Sequence, residues 1–250
     1  MNEGGPKGRT VCRAVGIGGV LIAAAIITLY TPWLGLFNLR VIVVRGNNHI
    51  TSGEIVRVSG LGNGGPLARL PVHRAERALE TIPWVKKAKI TRHYPHTVRI
   101  AITERMPIAA LRMGDDQPYL IIGENGVIVA KEQGDKGDVA HYLVVTGVAV
   151  TEAAPGGRIQ DTQVVNALEV LHEKGIGPAV FTTIDFSDPS EVVLHSSVGT
   201  EVLFGPTDMI PERVKELMAL LPTLDLKDYR SIDLRFGGEA ILVPRKVVSR

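Results

Sequence analysis

The sequence predicts an α+β chain: a single N-terminal transmembrane helix, a domain of order strand-helix-helix-strand-strand, and a strand-rich domain with two covering helices. Three observations carry this. No charged residue occurs from Ala14 to Leu39. An amphipathic helix and an amphipathic hairpin follow one another between Pro71 and Glu104. After Met106-Pro107, short apolar runs punctuated by turn signals are interrupted by two stretches of helical periodicity.

With 250 residues, 45% hydrophobic and 22% charged, the chain has room for about two ordinary domains. Its one cysteine, Cys12, excludes an intramolecular disulfide, so the fold stands on its core. Lys and Arg number 28 against 26 Asp and Glu. Lys7, Arg9 and Arg13 against Glu3 account for that excess, which leaves the rest of the chain formally neutral. Nucleic-acid binding draws most of its affinity from a basic surface, and this balance argues against it.

A helix over 14–36 is about 35 Å long at ~1.5 Å per residue, enough to cross a hydrocarbon core of ~30 Å. Tyr30 and Trp33 sit at its far end, where amphipathic rings prefer the interface, and Pro32 frays the helix there. A cleaved signal peptide would share the basic start, with Ala23-Ala24-Ala25 as its small-residue site. The apolar run continues past it through Ile26, Ile27 and Leu29, which favours an uncleaved anchor. A buried soluble helix would carry a polar face, and this run has none. The basic residues on residues 1–13 place that tail in the cytoplasm and the bulk of the chain outside. Cys12 then lies at the cytoplasmic boundary, as an idle thiol or a lipid carrier.

Beyond the span, Leu39 to Arg45 reads as a strand and Gly46-Asn47-Asn48 as a turn. Thr51 and Glu54 have capping-box spacing, Ile55, Val56 and Val58 follow, and Gly60 ends the helix. Gly62 to Gly65 reads as a flexible loop, with no Gly-Lys-Ser/Thr ending to make it a phosphate cradle. Pro71 suits a first helical position, and Val72, Ala75, Leu79 and Ile82 line one face opposite His73, Arg74, Glu76, Arg77 and Glu80. Strands at Val85 to Arg92 and Thr97 to Glu104 flank the turn His93 to His96. Ala88, Ile90, Val98, Ile100 and Ile102 form an apolar face for the helix to cover, while Lys87 and Lys89 point away.

In the second domain, Ile108 to Met113 reads as a strand, and Tyr119 to Ile122 with Val127 to Ala130 as a hairpin about Asn125-Gly126. Gln133 to Asp138 is polar loop and His141 to Val148 a strand. A helix runs from an Asp161 cap through Val164, Val165, Leu168 and Leu171 to Lys174, closed by Gly175. Strands follow at Val180 to Phe186, Glu191 to His195 and Thr200 to Phe204. Pro211 opens a helix with Val214, Leu217, Met218 and Leu221 on one face, and Pro222 closes it. A last hairpin pairs Ser231 to Phe236 with Glu239 to Val243 about Gly237-Gly238.

The stretch PWVKKAKITRHYPHTVRIAITERMPIA, with its Pro-Trp-Val step, aromatic-Pro turn and Glu-x-x-Pro exit, resembles the FtsQ/DivIB family of cell-division proteins. The order strand-helix-helix-strand-strand is that of its POTRA domain. SIDLRFGGEAILV at Ser231 to Val243 is similar to the family's final strand, and Gly199 to Gly205 sits where the family has a strand ending in Gly. A family Trp near Pro244 is missing. The resemblance implies a cytoplasmic tail at 1–13, a transmembrane helix at 14–36, a POTRA domain at 37–105, and an FtsQ-type β domain at 106–250 with a short basic tail. It implies a bitopic scaffold of the divisome, in the inner membrane at the septum, that binds proteins of the FtsB and FtsL type and helps recruit and regulate septal cell-wall synthesis.

The resemblance also implies site residues. Partner binding falls on the last strand region, Arg235, Phe236, Gly237, Gly238, Glu239, Ala240 and Pro244, by strand addition. Phe236 shares parity with the core pair Ile232 and Leu234, so it reads equally as core or contact. Gly237 and Gly238 read equally as turn or close-approach positions. Recruitment falls on Lys87, Ile90 and Arg92 of the POTRA hairpin, where Ile90 also reads as core.

No catalytic constellation stands out. His93 and His96 lack further ligands, Asp115-Asp116 lies in a polar loop, and neither Gly-x-Ser-x-Gly nor Ser-x-x-Lys is present. The expectation is no enzyme, no cofactor and no small-molecule substrate. A POTRA-containing transport or outer-membrane assembly module is the second reading, although one POTRA unit and no room for a barrel weigh against it. A secreted cell-wall hydrolase is the third, and it lacks a catalytic set.

Overall fold

The computed structural model describes residues 37–114, 117–133 and 139–245. The expected span at 14–36, Cys12, Asp115-Asp116 and the basic tail beyond Arg245 lie outside these residues. Among the described residues no helix is long and apolar enough to cross a membrane. The chain divides into two compact units, one ending at Leu79 and taking up Lys87–Ile102, the other formed by Glu80–Lys86 and Thr103–Arg250.

In the first unit, β1 (Val41–Arg45), α1 (Ser52–Ser59), α2 (Val72–Leu79), β2 (Val85–His93) and β3 (Thr97–Glu104) follow in the expected order. The sheet order is β1-β3-β2, with β1 parallel to β3. The Thr51 hydroxyl accepts the Glu54 N–H at 3.2 Å, and Gly60 closes α1 in the left-handed region at φ +66°, a conformation that costs glycine little. Val72, Ala75 and Leu79 of α2 are buried, as are Ala88, Ile90, Val98, Ile100 and Ile102 of the hairpin. Pro71 is the cap of α2 rather than its first residue, because its carbonyl accepts the Arg74 and Ala75 N–H groups. The Gly62 to Gly65 stretch is also more ordered than its composition suggests. It includes a 3₁₀ turn at Leu61–Asn63, and Gly65 accepts the Leu39 N–H at 2.8 Å.

The second unit holds β4 (Pro107–Arg112), β5 (Tyr119–Gly123), β6 (Ile128–Glu132), β7 (Leu143–Thr146), α3 (Thr162–Glu173), β8 (Phe181–Asp185), β9 (Val192–Ser196), β10 (Glu201–Gly205), α4 (Ile210–Leu220), β11 (Tyr229–Asp233) and β12 (Ile241–Pro244). The strands form one sheet of order β12-β11-β10-β9-β8-β7-β4-β5-β6. Both helices are crossovers between parallel neighbours, α3 between β7 and β8 and α4 between β10 and β11. Val164, Leu168 and Leu171 of α3 and Val214 and Leu217 of α4 share a core with Leu111, Leu120, Phe181 and Phe204. Residues of opposite parity, Ala110 and Ile121, join Val129 and Val139 under Trp84 and Tyr142 on the other face.

Two expectations for this unit need correction. Met218 is exposed, and Arg213 takes a buried place on the inward side of α4 instead. The last hairpin is shorter than its alternation suggests, because residues 234–240 connect β11 to β12 rather than extending them. The Arg235 N–H donates to the Asp233 carboxylate at 3.0 Å, which takes it out of the ladder just after Leu234.

Candidate partner-binding surfaces

β12 is the terminal strand of the large sheet. It pairs antiparallel with β11, and no described strand pairs with its other side. Leu242 packs against the main core, so Ile241 and Val243, of opposite parity, point to the other face, where they are 49% and 41% exposed. Pro244 at the strand's end is exposed, and the Arg245 N–H ties the chain to the Asp228 carbonyl at 2.8 Å. Ile241 and Val243 are not singled out by the sequence, although their exposure on an edge strand makes them its most accessible apolar side chains. The signal for them is the alternation Ile241-Leu242-Val243, readable only once the inward member is known.

Arg235, Phe236, Gly237, Gly238, Glu239 and Ala240 all lie in the exposed connection before β12. Phe236 is 62% exposed while Ile232 and Leu234 are fully buried, so its parity with them ends at the turn. Asp233 and Arg235 do not wait for partners of opposite charge. The Arg235 guanidinium donates to both Asp233 oxygens, at 2.7 Å in its closest contact, and reaches Glu191 at 3.0 Å. The hydrogen bond from Arg235 holds the Asp233 carboxyl below the usual carboxylate range, and the same contact pushes Arg235 up. The Arg235 guanidinium carbon stands 5.9 Å from the Phe236 ring centroid, within range of a cation–π contact.

Helix α4 holds the turn from below. Arg213, buried, pairs with Glu216 at 2.8 Å and approaches the Arg235 carbonyl at 3.5 Å, while Glu216 accepts the Gly238 N–H at 3.3 Å. Gly237, at φ +54°, stands so close that a β-carbon would lie 3.0 Å from the Arg213 guanidinium. Turn and close approach, the two readings of this glycine, therefore describe the same position.

The POTRA-hairpin residues are placed differently. β2 is an edge of the small sheet, with Lys87 and Arg92 exposed. Ile90 is buried, so it belongs to the core and not to an accessible surface. Its N–H donates to Glu76 of α2 at 2.8 Å, and the Arg92 guanidinium donates to the Leu70 carbonyl at 2.7 Å.

Among the described residues no group of three or more His, Cys, Asp or Glu side chains is placed to hold a metal ion. A groove of about 420 Å³ in the second unit is lined by Tyr119, Tyr142, Thr182 and Thr183 beside Arg112. It contains no pairing of nucleophile and base.

The model of the POTRA domain, FtsQ-type, matches residues 37–105. That of the cell division protein FtsQ/DivIB C-terminal domain matches residues 110–235. Cell division protein FtsQ of Koribacter versatilis is 26% identical over 240 residues, covering 91% of this chain and 66% of that protein. FtsQ of Mycobacteroides abscessus is 28% identical over 211 residues, 83% of this chain and 60% of its own length. Cell division protein DivIB of Clostridium botulinum is 21% identical over 217 residues, 84% of this chain and 83% of its own. The chain thus spans about two thirds of the length of the first curated relatives it matches.

Proposed function

The chain belongs to the FtsQ/DivIB family of cell-division proteins, and from that premise we propose that it is a bitopic membrane scaffold of the divisome rather than an enzyme. In this reading residues 14–36 anchor it in the inner membrane with the tail at 1–13 in the cytoplasm. The two outer units then bind other division proteins and help to recruit and regulate septal cell-wall synthesis.

The observation that carries the reading is the β12 edge. An edge strand offers unpaired N–H and C=O groups to an extended peptide, and soluble proteins usually blunt such an edge with charge. Here its outward side chains are Ile241 and Val243, and Phe236 stands exposed beside them in the chain. An extended segment of an FtsB- or FtsL-type protein that adds to β12 would gain main-chain hydrogen bonds and cover these apolar groups. Arg235 to Ala240 and Pro244 would flank it.

The test is a pulldown of the FtsB-type partner by the full chain carrying Ile241→Lys and Val243→Lys, beside a thermal melt. Capture should fall sharply, while stability falls by no more than about 1 kcal/mol because both side chains are close to half in water already. Capture at the wild-type level would remove the edge from the interface. Crosslinking in growing cells from positions 241 and 243 identifies the partner directly.

For the POTRA hairpin, the exposed recruitment surface reduces to Lys87 and Arg92. Lys87→Glu should reduce septal localisation without touching any described hydrogen bond, whereas Arg92→Glu also removes the bond to Leu70. Normal septal localisation of Lys87→Glu would take this strand out of recruitment.

A further inference from the structure

Phe37 follows the apolar run by one residue, and its place in the first unit is fixed. Its carbonyl accepts the Leu67 N–H at 2.9 Å, and the next steps of the chain are tied on two sides, Leu39 to Gly65 and Arg40 to His96. Its ring packs edge-on against Tyr94, at the tip of the β2–β3 turn, with centroids 6.1 Å apart and planes at 70°. Both rings remain open, Phe37 at 43% and Tyr94 at 60% exposure. Three chain segments meet here: residues 37–40, 60–71 and 91–98. Together they carry Arg40, Arg69, Arg92, His93 and His96 and contain no Asp or Glu. The chain as a whole is close to neutral, so three adjoining segments without an acidic residue are a local departure from composition. Glu76, the carboxylate bound to the Ile90 N–H near this end, is also engaged by His73.

We propose that this tip rests on the outer face of the membrane, with the Phe37 and Tyr94 rings at the level of the lipid headgroups and Arg40 and Arg69 toward phospholipid phosphates. The inference rests on the reading of 14–36 as a membrane anchor. If that span ends at Leu36, Phe37 cannot leave the interface, and whatever touches Phe37 shares its depth. Tyr94 does so. The amphipathic Tyr94 ring favours that zone with Phe37 on its apolar side, arginine stems lie along apolar surface while the guanidinium reaches phosphate, and anionic lipid attracts segments that carry arginine and no carboxylate. The two strands lead away from the tip, from Val41 beside Thr97 to Arg45 beside Ala101. Arg45 is therefore roughly 13 Å further along the strand at ~3.3 Å per residue. One end of the first unit is thus seated and the other held in water, which fixes the tilt of the domain on its anchor.

The test uses the full chain with Cys12→Ser in vesicles of phosphatidylethanolamine and phosphatidylglycerol. Single cysteines at Ile26, Arg45 or His93 carry an environment-sensitive fluorophore, read against lipids spin-labelled at the headgroup or deep in the acyl chain. The label at 26 should be quenched by the deep probe, and the label at 93 by the headgroup probe roughly twofold more than the label at 45, as an interfacial ring requires. Tyr94→Ser should lower quenching at 93 to the level at 45. Quenching at 26 with equal, weak quenching at 93 and 45 overturns the seated tip and leaves the anchor standing. No deep quenching at 26 overturns the anchor reading and the tip with it. Strong quenching at 93 that survives Tyr94→Ser overturns the part assigned to the ring.

Discussion

The small sheet has edges at β1 and β2 and the large sheet at β6 and β12, and of these β2 and β12 are treated in opposite ways. At β2 a helix reaches over the edge: Glu76 of α2 takes the Ile90 N–H, and Arg92 is bound to the backbone at Leu70. At β12 the side chains of helix α4 that make hydrogen bonds here, Arg213 and Glu216, hold the turn before the strand. Among the described residues no strand pairs with the outer side of β12, and it carries two exposed apolar side chains. Being last in a sheet does not make a strand a docking site. What decides is whether the fold's own side chains occupy the edge, and of these two it is β12 whose flanking turn is held while no described strand or side chain bonds to its outer edge.

The comparison breaks hardest within β11 and its exit. Leu234 and Phe236 share parity, yet one is fully buried and the other is in water. Leu234→Ala should cost about 2–5 kcal/mol in a denaturant titration, the range for a truncated core leucine. Phe236→Ala should change stability by less than about 0.5 kcal/mol and lower partner capture instead. A stability loss from Phe236→Ala comparable to that from Leu234→Ala would mean that the aromatic packs inside and the exposed patch does not exist.

Removing the grip on the turn comes next. Arg213→Met keeps the apolar stem but deletes the pair with Glu216 and the contact to the Arg235 carbonyl. Glu216 is partly in water, so the loss should be about 1–3 kcal/mol rather than that of a fully buried ion pair. Amide exchange at Gly238 should accelerate. Unchanged exchange there would show that α4 does not order the connection.

These contrasts also mark how far the sequence can be read. Thr51, Glu54 and Gly60 announce α1, and Asp161 announces α3, because a cap is a local event: Asp161 accepts the Gln163 N–H two residues on. The alternation of Val98, Ile100 and Ile102 sets the buried face of β3 for the same reason. The exit of β11 is less legible, since alternation runs on through Phe236 while the Asp233 carboxylate turns the chain at Arg235. Arg213 is buried beside a carbonyl 22 residues away, and the Ile90 N–H is taken by a glutamate 14 residues before it. Periodicity carries no trace of either, and so Met218 looks like core; it does put Ile90 with Ala88 on the apolar face, and only the family resemblance turns Ile90 outward.

Glu76 gives a smaller and more direct test of the closed edge. Glu76→Ala leaves the Ile90 N–H to water or to another strand, and should cost about 1–2 kcal/mol for one charge-assisted hydrogen bond at a partly buried site. Exchange at the Ile90 amide should rise, and β2 should then resemble β12 in offering an open edge, seen as concentration-dependent self-association. Protection at Ile90 that survives the substitution would show that the glutamate is not what closes the edge.

The smallest expected effect is one of pH, and it sharpens the account of the turn. Hydrogen bonds from Arg235 hold the Asp233 carboxyl below its ordinary value of 3.8 in the folded chain. A group whose folded value is depressed binds its proton more readily once unfolded. Its contribution is therefore complete above about pH 3.8 and is lost as pH falls through the lower folded value. Asp185 is lowered too, chiefly by the Ser187 hydroxyl, so the wild-type curve contains both. Subtracting the acid limb of Asp233→Asn from that of the wild type isolates the Asp233 share. That difference should be flat above pH 4 and close below it, and Arg235→Gln should close it as well, because the guanidinium is the principal cause of the shift. A difference that persists undiminished in the Arg235→Gln background would mean that Asp233 is stabilised by something other than the arginine that leads into the partner-facing turn.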